Sequence, residues 1–160
     1  MRTFSFISTN TLVLFLDGND NDIWWQNVME MLNSVNDIVH LNFIHNEMIS
    51  ISEITKIKKP IVWTLHDSWA FCGAEHHPLI ENDSRYIEGY SKNNKNNGDR
   101  GIDINRWTWN RKRRHWKLPL QVVTPSNWMA NCVRKSKLMH DWPVEVIPCP
   151  LDTDNWKPVQ

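Results

Sequence analysis

Two short apolar runs, "DIVHLNF" (Asp37 to Phe43) and "PIVWTL" (Pro60 to Leu65), enclose the segment "SISEITKI". Both runs are rich in apolar and β-branched residues and too short for a helix, so each reads as a strand covered on both faces. Ser50 and Glu53 stand at the spacing at which a serine oxygen and a glutamate carboxylate satisfy the free amides of a helix start. The result is a strand, helix, strand unit of about thirty residues, the unit from which parallel sheets are built. A parallel pair needs a crossover between its strands, so this unit restricts the chain to α/β architectures.

The rest of the chain repeats the alternation. "TLVLFL" reads as a strand, followed by a turn rich in Gly, Asn and Asp, and "IWWQNVMEMLNSV" has the apolar spacing of three and four that marks a helix. "IDINRWTWNRKRRHWK" reads as a basic helix studded with tryptophan, either with Trp109 and Trp116 on a buried stripe and its cations facing water, or with Arg, Lys and Trp from Arg106 to Lys117 interleaved to stack on single-stranded nucleic acid or bind an anionic surface. Pro119 precedes the strand "LQVVT", Ser126 caps the helix "NWMANCVRKS", and "VEVIP" forms a last strand before a proline-rich exit. The expected fold is an α/β, Rossmann-like three-layer domain with a mainly parallel sheet and helices on both faces. It spans residues 1–160 as a single domain, with residues 67–101 as an irregular loop insertion that includes the solvated stretch "SKNNKNNGDRG". The exit "PCPLDTDNWKP" is the expected passage into a further domain.

Composition removes several classes. Eighteen Lys and Arg balance eighteen Asp and Glu, so net charge gives no bulk attraction to nucleic acid. Three widely spaced cysteines, Cys72, Cys132 and Cys149, fit neither a disulfide framework nor a zinc ribbon, and a reducing compartment is expected. Cys72, His76 and His77 lack the pairing of a metal site, so no metal is expected. "TLVLFL" meets Asp17 too soon to be a signal peptide or a membrane span.

In an open parallel sheet, ligands bind at the carboxyl ends of the strands, where helix N-termini present amides and partial positive charge. That rule gathers His45 and Asn46 after one strand, His66 and Asp67 after the next, and Thr124, Ser126 and Asn127 after a third. A histidine there can polarise a phosphate or sugar hydroxyl near neutral pH, and an aspartate can orient it. The alternative is that the pair ends the strand and satisfies loop amides.

Taken in order, "DIVHLNFIHNEMISISEITKIKKPIVWTLHDSWAFCG", "DRG…NRWTWNRKRRHWK", "VVTPSNWMANCVRKS" and "VEVIPCPLDTDNWKP" resemble the N-terminal half of retaining family-4 glycosyltransferases. The likeness is nearest to enzymes of bacterial exopolysaccharide and lipopolysaccharide synthesis and covers roughly Asp37 to Pro158. It implies a GT-B architecture, in which two Rossmann-like domains face each other and a sugar passes from a nucleotide donor to an acceptor with retention of configuration. By this likeness His66 approaches the donor sugar or its phosphate, Asp67 supports it, and Ser126 and Asn127 line the cleft floor. Arg100 matches an arginine of the family's "DRS" region, with Gly101 where serine is usual.

The resemblance further implies a nucleotide-sugar donor as substrate, a glycan or lipid-linked acceptor, and neither cofactor nor metal; relatives carry a cysteine cluster where this chain keeps Cys72. It implies a cytoplasmic location with peripheral contact to the inner membrane face through the basic helix. It also implies a C-terminal domain holding the nucleotide, so the 160 residues alone are expected to be inactive. A non-catalytic glycan- or partner-binding module is the alternative function.

Overall fold

A computed structural model of the chain describes residues 3–8, 11–15, 30, 33, 37–42, 44, 49–77, 84–96 and 100–151. Among the described residues, six strands form one sheet in which each strand lies beside its predecessor: β1 (Thr3–Ser8), β2 (Thr11–Phe15), β3 (Ile38–Asn42), β4 (Ile61–Thr64), β5 (Gln121–Thr124) and β6 (Val144–Val146). β1 runs antiparallel to β2, and every pairing from β2 to β6 is parallel. The fold is therefore the expected α/β, Rossmann-like arrangement, with an antiparallel edge strand that the sequence reading did not foresee. Among the expected elements, the helix over residues 23–35 falls almost entirely outside the described residues.

Among the described residues, four helices accompany the strands: α1 (Ile51–Ile54), α2 (Arg85–Glu88), α3 (Ile104–His115) and α4 (Asn127–Lys135). Their starts follow from local chemistry. Ser50 Oγ accepts the Glu53 amide at 3.2 Å and the Ser50 amide donates to Glu53 Oε2 at 2.9 Å, which is the capping box legible in the sequence. Asp103 Oδ1 accepts the Arg106 amide at 2.9 Å to start α3, and Ser126 Oγ accepts the Met129 amide at 3.2 Å to start α4.

Strand alternation decides which side carries the core. Val39, Leu41, Ile61, Trp63 and Val122 are buried and share one sheet face through the cross-strand register, where they join Ile54, Trp109, Trp116, Met129 and Val133 from the helices. His40, Val62, Thr64, Gln121 and Val123 lie on the other face and are only half-buried, so β3 and β4 are not the uniformly covered strands that their composition suggests.

Tryptophan dominates the interior. Trp116 meets Trp63 edge to face with ring centroids 5.3 Å apart, lies 6.0 Å from Trp69 and 6.4 Å from Trp142, and donates Nε1–H to the Ile51 carbonyl at 3.0 Å. Such edge contacts each add about 1 kcal/mol beyond area burial. Trp109 in α3 and Trp116 at its C-terminal cap are buried as expected, but the expectation that all the helix's cations face water fails at Lys112, whose side chain is fully buried. Arg85 is buried as well, bonded to Asp103 at 2.6 Å and to Asn94 Oδ1 at 3.2 Å, with its guanidinium 4.5 Å from the centre of the Tyr90 ring. Within "SKNNKN", Asn94 thus ties the insertion to the core rather than to water alone.

Candidate active site

β4 ends at Thr64, and the next residues turn across the carboxyl edge of the sheet. The Leu65 amide donates to the Val123 carbonyl at 2.9 Å, so the His66–Asp67 turn lies beside the end of β5, where Thr124 leads through Ser126 into α4. Two of the three strand ends picked out in the sequence are therefore adjacent. The third holds His45 and Asn46, which lie outside the described residues.

His66 Nε2 donates to Asn42 Oδ1 at 3.3 Å, a long bond that a ligand oxygen can replace. Burial depresses the affinity of this imidazole for a proton, partly offset by the Asp67 charge, so the ring is neutral at neutral pH. Behind it, His40 Nε2 lies 2.7 Å from Thr64 Oγ1, and His40 is likewise held below its ordinary value by burial and then by His66. The pair of histidines on the polar sheet face was not evident in the sequence. His40 sits in the middle of a strand, and only the β3–β4 register brings it to Thr64 and His66.

Asp67 works in two directions. Its Oδ1 accepts the Trp69 amide at 3.0 Å and its Oδ2 accepts from His76 Nδ1 at 2.7 Å. The carboxylate is thus fixed at both oxygens, partly by the loop amide that the alternative reading anticipated and partly by His76. His76 appears in the sequence only as a loop histidine nine positions on, without a spacing signal. The hollow beneath the turn, lined in part by Ile44, Trp63 and Trp69, measures about 10 Å³, no more than one water.

The remaining expected residues separate by environment. Thr124 is fully buried and its hydroxyl donates to the Ser126 carbonyl at 3.2 Å, which makes it a support of the α4 start. Ser126 caps α4, and Asn127 is exposed in the first turn, next to an exposed Trp128. Arg100 is exposed and lines a different feature, an open groove of about 470 Å³ formed with Glu75, Ile102, Asp103 and Asn105. That groove adjoins the loop after the turn, because Asn105 Oδ1 accepts the Ala74 amide at 3.1 Å. Gly101 adopts φ +77°, with open space where a Cβ would stand, so the glycine in place of serine suits a backbone that other residues adopt at a cost of about 1 to 2 kcal/mol.

Cys72 and Cys132 are buried and Cys149 is exposed, and none of the three is in a disulfide. Among the described residues, no three His, Cys, Asp or Glu side chains converge as a metal set would, and no helix is long and apolar enough to cross a membrane. Chemically, the edge offers a neutral imidazole, an anchored carboxylate and the positive end of a nine-residue helix, a combination suited to an anionic or hydroxyl-rich ligand.

Comparison with curated proteins and with solved structures returns no match. The model of the family described as Glycosyltransferase Family 4 matches residues 25–155, which takes in every described strand from β3 onward and the His66–Asp67 turn. This chain belongs to glycosyltransferase family 4.

Proposed function

We propose that the chain forms the acceptor side of a retaining, GT-B glycosyltransferase that moves a sugar from a nucleotide-sugar donor to a glycan or lipid-linked acceptor in surface polysaccharide synthesis. The observation that carries this reading is the His66–Asp67 turn, set at the carboxyl end of β4 beside the start of α4 in a family-4 chain. The donor's nucleotide is held by a second Rossmann-like domain across the cleft. His66, neutral and half-exposed, exchanges its long bond to Asn42 for a donor oxygen and polarises it. Asp67 holds the turn through Trp69 and His76, while the α4 N-terminus offers Asn127 and partial positive charge to a phosphate or hydroxyl. His45 and Asn46 complete the substrate contacts, and Arg100 serves the acceptor from its own groove. The chemistry uses protein cations and helix ends, with no metal or cofactor.

Exposed Ile104 and Trp107, with the Arg111 guanidinium 4.8 Å from the centre of the Trp107 ring, support a cytoplasmic enzyme in peripheral contact with the inner membrane face. The Arg100 groove supports a second reading, in which the chain holds a glycan or a partner without catalysing transfer.

The test compares the 160-residue chain with a two-domain enzyme that carries it, using labelled nucleotide-sugars and polyprenyl-linked acceptors. The chain alone transfers little or no sugar, and the two-domain enzyme transfers it with retained configuration. His66→Ala in that enzyme lowers turnover roughly 100-fold without lowering its melting temperature. Unchanged turnover removes His66 from the site, robust transfer by the chain alone refutes the half-enzyme, and glycan binding without transfer by either favours the second reading.

A further inference from the structure

Lys112 lies in the third turn of α3, fully buried, and the proposed reaction gives it no task. Its ammonium donates to the carbonyls of Trp69, Cys72 and Gly73, the last two at 3.2 and 2.6 Å, and sits 3.8 Å from the centre of the Trp69 ring. These acceptors belong to one element. The Phe71 and Cys72 amides both donate to the Ser68 carbonyl, at 3.2 and 3.0 Å, so residues 68–73 form a single helical turn directly after the His66–Asp67 pair. Such a turn leaves amides unsatisfied at its start and carbonyls at its end. Asp67 Oδ1 takes the Trp69 amide at the start, and Lys112 Nζ gathers the carbonyls at the end. A carboxylate and an ammonium thus terminate the same turn, each at the end whose partial charge it opposes.

We propose that Lys112 is a positioning residue for the His66–Asp67 turn: by holding Trp69 through both its carbonyl and its ring, the ammonium fixes the amide that orients Asp67. The geometry makes the coupling short, since Trp69 is bonded to Lys112 through its carbonyl and to Asp67 through its amide. A neutral side chain of equal length would fill the same space while withdrawing the Lys112 donor from all three carbonyls. The groups that face the ammonium are Cys72, Glu75 and Asp67, whose charges favour the proton, against a larger effect of burial that brings Lys112 down to about 7. Glu75 is itself held by the Tyr90 hydroxyl. The ammonium is therefore a charge whose presence varies within the ordinary range of assay pH.

Its importance for sugar transfer rests on the reading of the turn given above, but the coupling is measured without turnover, so the two can fail separately. Amide hydrogen exchange by NMR on the 160-residue chain compares wild type with Lys112→Met. Exchange at the Trp69 amide is expected to accelerate at least about tenfold, while Val39, Leu41 and Val122 keep their wild-type protection. An unaltered Trp69 rate overturns the proposal, and so does equal acceleration at all four amides, which marks Lys112 as general packing. If Lys112→Met does not fold, the wild-type chain decides. The Trp69 amide resonance is expected to move with the midpoint read at Lys112 Cε, not with that read at the His66 ring, and a Trp69 resonance that ignores the Lys112 titration overturns the proposal.

Discussion

Asp103 shows how one side chain serves two purposes in this chain. Its Oδ1 caps α3 through the Arg106 amide, and its Oδ2 accepts the buried Arg85 guanidinium at 2.6 Å, with side-chain exposures of 8% for the aspartate and 2% for the arginine. Burial alone would raise the Asp103 carboxyl, yet the Arg106 amide and the Arg85 charge outweigh it and hold the group below its ordinary value. A carboxylate depressed in the native state adds stability above its unfolded value of about 3.9, and that contribution is lost as pH falls through the lower native value. Asp103→Asn keeps a capping oxygen but removes the carboxylate bonded to the buried Arg85 guanidinium, so urea unfolding at pH 7 is expected to show a loss of about 3 kcal/mol. Asp103→Ala removes the cap too, for about 1 kcal/mol more. A loss near zero for Asp103→Asn would mean that the other contacts of Arg85, Asn94 and the Tyr90 ring among them, satisfy it.

The helix α4 and the turn 68–73 meet the same sheet edge but differ in what their sequences disclose. Ser126 is legible as a cap because its partner, the Met129 amide, is three residues away, and the same holds for Ser50 with Glu53. Its expected place on the cleft floor is a separate claim, and two substitutions divide them. Ser126→Ala is expected to lower stability by about 1 kcal/mol, whereas Ser126→Asp keeps the cap and the stability. If a donor phosphate approaches α4, however, the added carboxylate weakens nucleotide-sugar binding in the two-domain enzyme. Equal binding by the serine and aspartate forms, measured by calorimetry, would confine Ser126 to capping. Strands β3 to β6 were legible for the same local reason, since each is a short apolar run bounded by turn residues. The buried Lys112 and Arg85 were not, because a basic residue reads as surface unless the loop that supplies its acceptors is known. Those acceptors lie 39 to 43 positions away for Lys112 and 9 to 18 away for Arg85. The His40–Thr64 contact, 24 positions apart, was hidden likewise.

Net charge is zero at pH 7, but balance of charge does not set the pH of greatest stability; the differences in proton binding between folded and unfolded chains do. Lys112, His40 and His66 are all depressed, chiefly by burial. For Lys112, between its native value of about 7 and an unfolded value near 10.4, the unfolded chain holds a proton that the native chain has released, so stability rises with pH. The two histidines act with the same sign, over a window that closes above their unfolded value of about 6.5. Cys132 and Tyr90 oppose them, because burial raises both and the unfolded chain then loses its protons first, above about 8.5 and 10. Urea unfolding from pH 5 to pH 10.5 is therefore expected to place the maximum on the alkaline side, at about pH 8 to 9.5, with a Lys112 slope of about 0.7 kcal/mol per unit at pH 7 that nears about 1.4 one unit higher. The protonated lysine that orders the turn beside His66 is thus also a burden on the fold, and below pH 7 the chain carries that cost in full. Lys112→Met removes the titrating group, so the rise from about pH 7 to the maximum should flatten in that variant. A rise that persists unchanged would assign the alkaline optimum to other groups and leave the Lys112 ammonium charged throughout the range.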